Sequence, residues 1–151
     1  MAKIIITDDE PMNRRMTEFM LTKNGYETVK AASGEECLSK LSDGADLVLL
    51  DVMMPGLNGF ETLKRMRGVG ITIPVIFLTA AEDNETLHEA EELGVPCVRK
   101  PFRPDDLLNA VRNAIGAVNI VKSRRIEISP RFFVISHQKN SKPLDKLGNL
   151  Y

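Results

Sequence analysis

The sequence predicts an α/β fold, in which a five-stranded parallel sheet is covered by helices on both faces. Short runs of apolar, β-branched residues alternate with longer segments of helical periodicity, and Gly, Pro or Asn separates most of them. Consecutive parallel strands need a crossover helix between them, which this alternation supplies. The chain has 151 residues, of which 43% are hydrophobic and 27% charged, so it is typical of one globular domain.

The first strand and the first helix come at the N-terminus. Residues 3–7, KIIIT, are short and β-branched, so we predict a buried strand. Pro11 suits the first turn of a helix, and Asn24-Gly25 ends that helix. Apolar side chains recur in it at helical spacing, and we expect them to pack in the core: Met12, Met16, Phe19 and Met20.

The next elements are a strand, a short helix and a central strand. Residues 27–32 predict the second strand. Ser33 and Glu36 have the spacing of a capping box, which predicts a helix running through Leu41. Residues 45–52, ADLVLLDV, are apolar on both faces, as a central parallel strand should be.

The remaining segments repeat the alternation. The turn MMPGLNG precedes a helix at 60–67, and residues 73–80 predict the fourth strand. Residues 83–93 predict an acidic, exposed helix, and 95–100 a weaker fifth strand. The last predicted helix begins at Pro104 and has apolar residues on one face: Leu107, Leu108, Val111, Ala114, Ile115 and Val118.

Polar residues stand at the C-terminal ends of four of these strands. Right-handed crossovers produce a doubly wound sheet, and the flavodoxin-like strand order 2-1-3-4-5 places a ligand crevice outside the ends of strands one and three. Asp8 and Asp9 end strand one, and Asp51 ends strand three. Thr79 and Lys100 end strands four and five. We therefore expect these five side chains to converge on one edge of the sheet.

This combination suits phosphoryl chemistry. Three carboxylates repel one another by about 4 kcal/mol per pair at about 4 Å and an effective dielectric near 20, and Mg²⁺ would relieve that repulsion. Lys100 supplies a positive charge and Thr79 a hydroxyl donor for a phosphoryl oxyanion. Asp51 is a plausible nucleophile, because aspartate can accept a phosphoryl group as an acyl phosphate.

Four motifs resemble the receiver domain of two-component response regulators, as in chemotaxis response regulators: DDEP, LLDVMMPGLNGFE, PVIFLTA and VRKPF. The resemblance covers residues 3 to about 118, and we take 1–118 as the domain. It implies that Asp51 is the phosphoacceptor. It also implies a Mg²⁺ site formed by Asp8, Asp9, Asp51 and the backbone carbonyl of Met53.

The resemblance also implies roles for residues near the ends of strands four and five. Thr79 would be the switch hydroxyl, and Lys100 the lysine that pairs with phosphate, followed by a cis bond to Pro101. Receivers usually have an aromatic residue or His three positions before that lysine, where this chain has Cys97. A small buried side chain that tolerates the same movement is the preferred interpretation, with altered coupling or a thiol sensor as alternatives. Ala81 should leave the phosphorylated site open to solvent.

The resemblance implies the partners as well. A histidine kinase or histidine phosphotransfer protein would donate the phosphoryl group, and a downstream protein would read the surface of helix four, strand five and helix five. That surface is also the first to consider for a homodimer. We expect no enzymatic activity beyond the chain's own phosphorylation and dephosphorylation, a cytoplasmic location and no membrane insertion. A nucleic-acid partner is disfavoured, although the charge and the two phenylalanines of residues 119–151 would allow contact with nucleic acid or an anionic surface.

The C-terminal residues 119–151 form a basic extension of unassigned role. Residues 1–118 have 13 Lys/Arg and 19 Asp/Glu, and residues 119–151 have 7 and 2, so the two parts have formal charges of −6 and +5. The segments RRIEI and RFFVIS, separated by Ser-Pro, predict a hairpin, or the last helix runs on through Lys122. The extension is a linker, a hairpin or an output remnant.

Other functions fit the sequence less well. A phosphorylation-independent interaction module, acting through the basic extension, is the main alternative. A flavin- or nucleotide-binding enzyme on the same fold is disfavoured, because three carboxylates would repel phosphate and no glycine-rich loop follows the first strand. His88 lies on an acidic helix without a nearby Ser or Cys, so we expect a surface residue and not part of a catalytic triad. No histidine stands where the phosphodonor of a kinase would be, so the chain should receive phosphate. Cys37 and Cys97 lie far apart, as expected for reduced thiols.

Overall fold

A computed structural model of the chain describes residues 1–80 and 84–124. The centre of the fold is a sheet of five strands: β1 (Lys3–Thr7), β2 (Glu27–Ala31), β3 (Leu47–Asp51), β4 (Val75–Ala80) and β5 (Cys97–Lys100). The strands lie in the order β2-β1-β3-β4-β5, and every neighbouring pair is parallel. The predicted doubly wound, flavodoxin-like fold is confirmed.

Helices connect and follow the strands: α1 (Pro11–Lys23), α2 (Gly34–Lys40), α3 (Gly59–Gly68), α4 (Asn84–Leu93) and α5 (Pro104–Arg124). A short 3-10 turn at Leu41–Asp43, which the sequence did not reveal, follows α2. The other boundaries, apart from the end of α5, lie within about two residues of the predicted ones, which is the usual spread between assignments. In the described part of the chain, no helix combines the length and the apolar character needed to cross a bilayer.

Helix α5 is longer than the apolar face that predicted it. It continues through Arg124, so the longer of its two predicted extents, through Lys122, is confirmed. The helix therefore crosses the predicted domain limit at residue 118. The predicted hairpin and Ala81 lie outside the described residues.

Side-chain caps fix the N-termini of α2 and α3. The Ser33 hydroxyl accepts a hydrogen bond from the N–H of Glu36 (3.0 Å), as predicted. The Glu36 carboxylate reaches one residue further than expected and accepts from the N–H of Ala32 (2.7 Å). Asn58 and Glu61 form a complete capping box at the start of α3. Each cap satisfies backbone donors that a helix leaves unpaired and contributes about 1 kcal/mol.

Helices cover the two faces of the sheet and create two cores. On one face, Leu21 of α1 and four residues of α5 pack against strand residues such as Ile4 and Leu49: Leu107, Leu108, Val111 and Ala114. On the other face, residues from α2, α3 and α4 pack against Ile5, Val48 and Phe77: Cys37, Leu63, Met66 and Ala90. Strand β3 is buried along its whole length, so Asp51 emerges from the most enclosed strand of the fold.

The predicted core face of α1 is wrong for three of its four residues. Met12, Met16 and Phe19 are 61%, 52% and 66% exposed. The buried residues of α1 are Thr17 and Leu21. Met20 alone among the predicted residues packs, partly buried, against the core. The helix is apolar on two sides, and its packing on the sheet buries the side that contains Thr17 and Leu21.

Candidate functional site

Hydrogen bonds hold Asp8 at the end of β1. Its N–H donates to the carbonyl of Ala31 (3.1 Å), and its Oδ1 accepts from the N–H of Glu10 (2.9 Å). Nη1 of Arg14, one turn into α1, donates to the carbonyl oxygen of Asp8 (2.6 Å). Asp8 is only 2% exposed, whereas its neighbour Asp9 is exposed. One carboxylate of the pair is therefore fixed inside the fold, and the other faces solvent.

Asp51 ends β3 and is 6% exposed. Its Oδ1 accepts a hydrogen bond from the N–H of Met53 (3.3 Å), and the following N–H, of Val52, donates to Leu78 in β4 (3.0 Å). Gly59 allows α3 to begin directly against this strand end, because a Cβ there would lie 2.8 Å from the Asp51 carbonyl oxygen. The backbone on both sides of Asp51 is thus held in place.

Lys100, at the end of β5, joins the two buried carboxylates. Its Nζ lies 2.8 Å from Oδ2 of Asp8 and 3.3 Å from Oδ2 of Asp51. The bond from Lys100 to Pro101 is cis, as the resemblance implied. A single ammonium group therefore offsets part of the negative charge that strands one and three bring together.

Burial and charge shift the pKa values of this pair. Burial raises the pKa of Asp51 from 3.8 to about 6, and the charge of Asp8 adds to the increase while Lys100 opposes it. Burial alone would lower the pKa of Lys100, but hydrogen bonding to Asp8 and the charges of both carboxylates raise it. Lys100 is therefore a fixed cation, and Asp51 is a carboxylate whose charge is only partly compensated.

Thr79 lies on the strand next to Asp51. It is the penultimate residue of β4, one residue beyond Leu78, the register partner of Asp51, and it is fully buried. Its Oγ1 has no hydrogen-bond partner among the described residues. A buried hydroxyl normally has such a partner, so Thr79 retains an unused hydrogen-bond donor close to the end of β4.

The carboxylates of Asp8, Asp9 and Asp51 form a compact group of oxygen donors. One ligand oxygen from each lies within 4.8 Å of the others. Carboxylate oxygens, with waters and a backbone carbonyl to complete the shell, are the donors that Mg²⁺ takes in proteins. The chemistry and size of the group therefore fit a divalent cation. Met53 follows Asp51 by two residues, so its backbone carbonyl is close in sequence to the acidic group. The residue is 65% exposed.

A cleft of about 610 Å³ opens above these residues. Asp8 and Asp51 lie at its floor beside Lys100, and much of its wall is apolar: Met16, Met20, Met53, Pro101 and Phe102. The sequence predicted the polar floor, because strand ends meet at one edge. It did not predict the apolar wall or the hydrogen bond from Arg14 to the Asp8 carbonyl. The position of Arg14, one turn after the acidic pair, was the only sequence signal for that bond.

Comparison with known proteins identifies the family of this chain. The model of the response regulator receiver domain family matches residues 4–112. The chain belongs to the response regulator receiver family. Receivers are signalling phosphoacceptors rather than conventional enzymes, and they generally bind Mg²⁺ at an acidic cluster such as the one formed by Asp8, Asp9 and Asp51. They work with histidine kinases or phosphotransfer proteins and with downstream effectors in two-component signalling.

Curated relatives and solved structures resemble this receiver over most of its described length. Sporulation initiation phosphotransferase F of Bacillus subtilis (strain 168) is 38% identical over 112 residues, which cover 73% of this chain and 90% of that protein. The CpxR homolog of Haemophilus influenzae is also 38% identical, but the match covers 74% of this chain and 49% of that protein. The chain thus spans about half the length of several curated relatives.

Two solved structures share the fold. Chemotaxis protein CheY4 of Vibrio cholerae has a TM-score of 0.68 and 34% identity, covering 76% of this chain and 98% of that chain. A response regulator receiver domain from Clostridium thermocellum has a TM-score of 0.74 and 30% identity, covering 80% and 99%. Both support the receiver assignment for the body of the fold.

Proposed function

We propose that Asp51 accepts a phosphoryl group from a histidine kinase or a histidine phosphotransfer protein in a Mg²⁺-dependent reaction. The observation that carries this proposal is the position of Lys100, whose Nζ contacts both Asp8 (2.8 Å) and Asp51 (3.3 Å) at the floor of an open cleft. A cation fixed beside a nucleophilic carboxylate can stabilise the oxygens of an incoming phosphoryl group.

The transfer step forms one bond and breaks another. An Oδ of ionised Asp51 attacks the phosphorus of the donor phosphohistidine, the P–N bond breaks, and its electron pair returns to the imidazole nitrogen. The products are an acyl phosphate on Asp51 and a free histidine on the donor. Hydrolysis by water then releases inorganic phosphate and restores the carboxylate, so the chain catalyses only changes in its own phosphorylation.

Each of the other site residues has a defined part. Asp8, Asp9, Asp51 and the Met53 carbonyl would hold Mg²⁺, which supplies positive charge next to the phosphoryl oxygens. Lys100 exchanges part of its contact with the carboxylates for a phosphoryl oxygen. The unpartnered Thr79 hydroxyl donates to another oxygen of the same group.

The signal passed to a downstream protein depends on the position of Thr79. Its movement toward the phosphoryl group biases the surface of α4, β5 and α5, which a downstream protein reads and which also serves a homodimer. Cys97, a buried residue of β5 where receivers usually have an aromatic residue or His, lets this movement occur without rotation of a ring. We assign 1–118 to the receiver domain and 119–151 to a basic extension, and we place the protein in the cytoplasm, where Cys37 and Cys97 remain thiols.

Labelling with a small phosphodonor tests the acceptor. Incubation with phosphoramidate and Mg²⁺ should add one phosphoryl group to the intact protein, as measured by mass spectrometry. Asp51→Asn should abolish the addition, EDTA should prevent it, and Asp43→Asn, a change at an exposed aspartate, should leave it unchanged. Absence of labelling in the unmodified protein, or equal labelling of Asp51→Asn, would contradict the proposal.

A further inference from the structure

The side chain of Arg14 contacts the backbone of the acidic pair. Arg14 lies half-buried one turn into α1, and its Nη1 donates a hydrogen bond of 2.6 Å to the carbonyl oxygen of Asp8. In the described part of the chain this is the one hydrogen bond of its side chain, which forms no ion pair there. Arginine usually pairs with carboxylate groups, and Asp9 and Glu10 are near it in sequence, yet the guanidinium binds a backbone carbonyl instead.

The carbonyl that Arg14 binds belongs to the peptide between Asp8 and Asp9. Because a peptide unit is planar, a hydrogen bond that fixes this oxygen also fixes the N–H of Asp9 and the direction of its Cα. Asp8 has two further anchors, from its own N–H to the carbonyl of Ala31 (3.1 Å) and from the N–H of Glu10 to its Oδ1 (2.9 Å). The bond from Arg14 is the one that acts on the peptide joining the pair.

The position of Asp9 depends on that peptide. Asp9 is exposed, and among the residues that the structure describes its side chain has no hydrogen bond or ion pair. Its carboxylate nevertheless belongs with those of Asp8 and Asp51 to the group whose ligand oxygens lie within 4.8 Å of one another. Asp8 and Asp51 are both buried at strand ends. The peptide that Arg14 holds is therefore the nearest fixed point for the third carboxylate.

We propose that Arg14 is a positioning residue of the Mg²⁺ site, because it holds the peptide between Asp8 and Asp9 and so keeps their carboxylates at the spacing that the ion requires. The proposal rests on the proposed function, since it assumes Mg²⁺ at the acidic group. It adds a residue that is not itself a metal ligand to those that determine metal affinity. Mg²⁺ demands near-ideal geometry, so a small displacement of this peptide should weaken binding.

The charge of Arg14 makes the sign of the effect diagnostic. A guanidinium near a cation site repels Mg²⁺, so its removal should strengthen binding if charge were the only effect. Loss of position should weaken binding instead. Arg15 is the matched control, because it is the next residue of α1, is exposed and has no hydrogen bond to Asp8. Arg15→Met removes the same charge at the adjacent position, and Met is as good a helix former as Arg.

Titration calorimetry of the full-length chain with Mg²⁺ at pH 7.5 tests the proposal, after circular dichroism has shown that each variant is folded. Arg14→Met should raise the dissociation constant about tenfold, as when a metal ligand loses an outer-shell partner. Arg14→Lys, which keeps the charge and a donor, should stay within about threefold of the unmodified protein. Arg15→Met should leave the constant unchanged or lower it. If Arg14→Met does not fold, Arg14→Gln takes its place.

Phosphoramidate labelling separates a metal effect from a general defect. At saturating Mg²⁺, the labelling rate of Arg14→Met should stay within about threefold of the unmodified rate, because Asp51 and Lys100 are unchanged. At Mg²⁺ concentrations well below the dissociation constant, the rate should fall about tenfold with the occupancy of the site. A substitution that only destabilised the fold would lower the urea midpoint in EDTA without changing the Mg²⁺ affinity of the folded protein.

Three results would overturn the positioning role. They are an unchanged or lowered dissociation constant in Arg14→Met, an equal rise in Arg15→Met, and slow labelling of Arg14→Met at saturating Mg²⁺ with normal Mg²⁺ affinity. Each of them leaves Asp51 as the acceptor, provided that the unmodified chain is labelled. Absence of Mg²⁺ binding or of labelling in the unmodified chain would contradict the proposed function itself, and the positioning role with it.

Discussion

The ammonium group of Lys100 lies 2.8 Å from the carboxylate of Asp8, although 92 residues separate them in the chain. The same nitrogen lies 3.3 Å from Asp51, so Lys100 connects the ends of three strands that come from distant parts of the sequence. Parallel strand order creates this contact, because the C-terminal ends of all the strands meet at one edge of the sheet. The charge balance of the site therefore depends on the fold.

Removal of the Lys100 charge should destabilise the protein when no metal is present. In Lys100→Met, two buried carboxylates lose their ion pair, and we expect the free energy of unfolding at pH 7.5 in EDTA to fall by about 3 kcal/mol. Mg²⁺ should restore much of the loss by taking over the compensation. Urea titrations with and without Mg²⁺ measure both effects. Lys64→Met, which removes an exposed lysine of α3, should cost less than about 0.5 kcal/mol, and equal losses in the two variants would refute the explanation.

Asp51 should weaken the fold at neutral pH in the absence of metal. Its pKa is raised by burial from 3.8 to about 6, so the folded protein holds the Asp51 proton more tightly than the unfolded chain does. The resulting cost is present above pH about 6 and disappears as the pH falls towards about 4. Asp51→Asn should therefore be more stable than the unmodified protein by about 1–3 kcal/mol at pH 7.5 in EDTA, since each pKa unit corresponds to about 1.4 kcal/mol.

The pH dependence of this difference is the decisive measurement. Urea unfolding of both proteins between pH 4 and pH 8 should show the advantage of Asp51→Asn shrinking below pH about 6. Added Mg²⁺ should reduce the advantage at pH 7.5. A difference that is constant over this range would show that the substitution acts through packing and not through charge.

Asp9 should contribute more to metal affinity than to stability. It is exposed, and it is one of the three carboxylates whose oxygens lie within 4.8 Å of one another. We expect Asp9→Asn to raise the dissociation constant for Mg²⁺ at least about tenfold, the order of effect seen when a metal site loses part of its shell. The unfolding temperature without metal should change little. Thermal unfolding across a Mg²⁺ titration measures this affinity, because a ligand that binds the folded state raises its stability.

Two observations would separate this metal effect from a general charge effect. Glu91→Gln, which removes an exposed carboxylate on α4, should leave the Mg²⁺ titration unchanged. The Mg²⁺ affinity of the unmodified protein should fall as the pH drops below about 6, because a proton on Asp51 then competes with the ion. If Asp9→Asn and Glu91→Gln weakened binding equally, the acidic cluster would not be the metal site.

The polar site could be predicted from the sequence, whereas the role of α1 could not. Asp8 follows an apolar strand, Asp51 and Thr79 stand at the ends of two others, and Lys100 ends the weaker β5. The strand order places these ends together whatever the packing of the helices. For α1, the sequence offers apolar residues on more than one side. Only contact with the sheet decides that Leu21 faces inward, so periodicity by itself selected the wrong face.

A hydrogen bond from a helix side chain to the backbone of the preceding strand end also could not be predicted from the sequence. The contact of Arg14 with the Asp8 carbonyl depends on how α1 leaves the strand, which no short motif specifies. The N-caps Ser33 and Asn58 show the contrast, since a cap and its partner three residues later are local and their spacing can be read directly.

Gly59 should be required for the position of Asp51. It starts α3 against the end of β3, and a Cβ at this position would lie 2.8 Å from the Asp51 carbonyl oxygen and 2.8 Å from Cα of Val52. Both neighbours are backbone atoms and cannot rotate away, so α3 or the acceptor loop would have to shift. We expect Gly59→Ala to lower the free energy of unfolding by about 1–3 kcal/mol and to slow phosphoramidate labelling.

Gly68, at the other end of α3, is the matched control for this substitution. A Cβ there would meet nothing within 4 Å, so Gly68→Ala should be neutral or stabilising by up to about 1 kcal/mol and should be labelled at the normal rate. Urea unfolding and intact-mass labelling of both variants test the prediction. Equal stability of the two variants would show that the close approach of α3 to the acceptor strand can relax without cost. Normal labelling of a destabilised Gly59→Ala would show that the shift is absorbed by α3, which would leave Lys100, Met53 and the β3 backbone sufficient to position the acceptor.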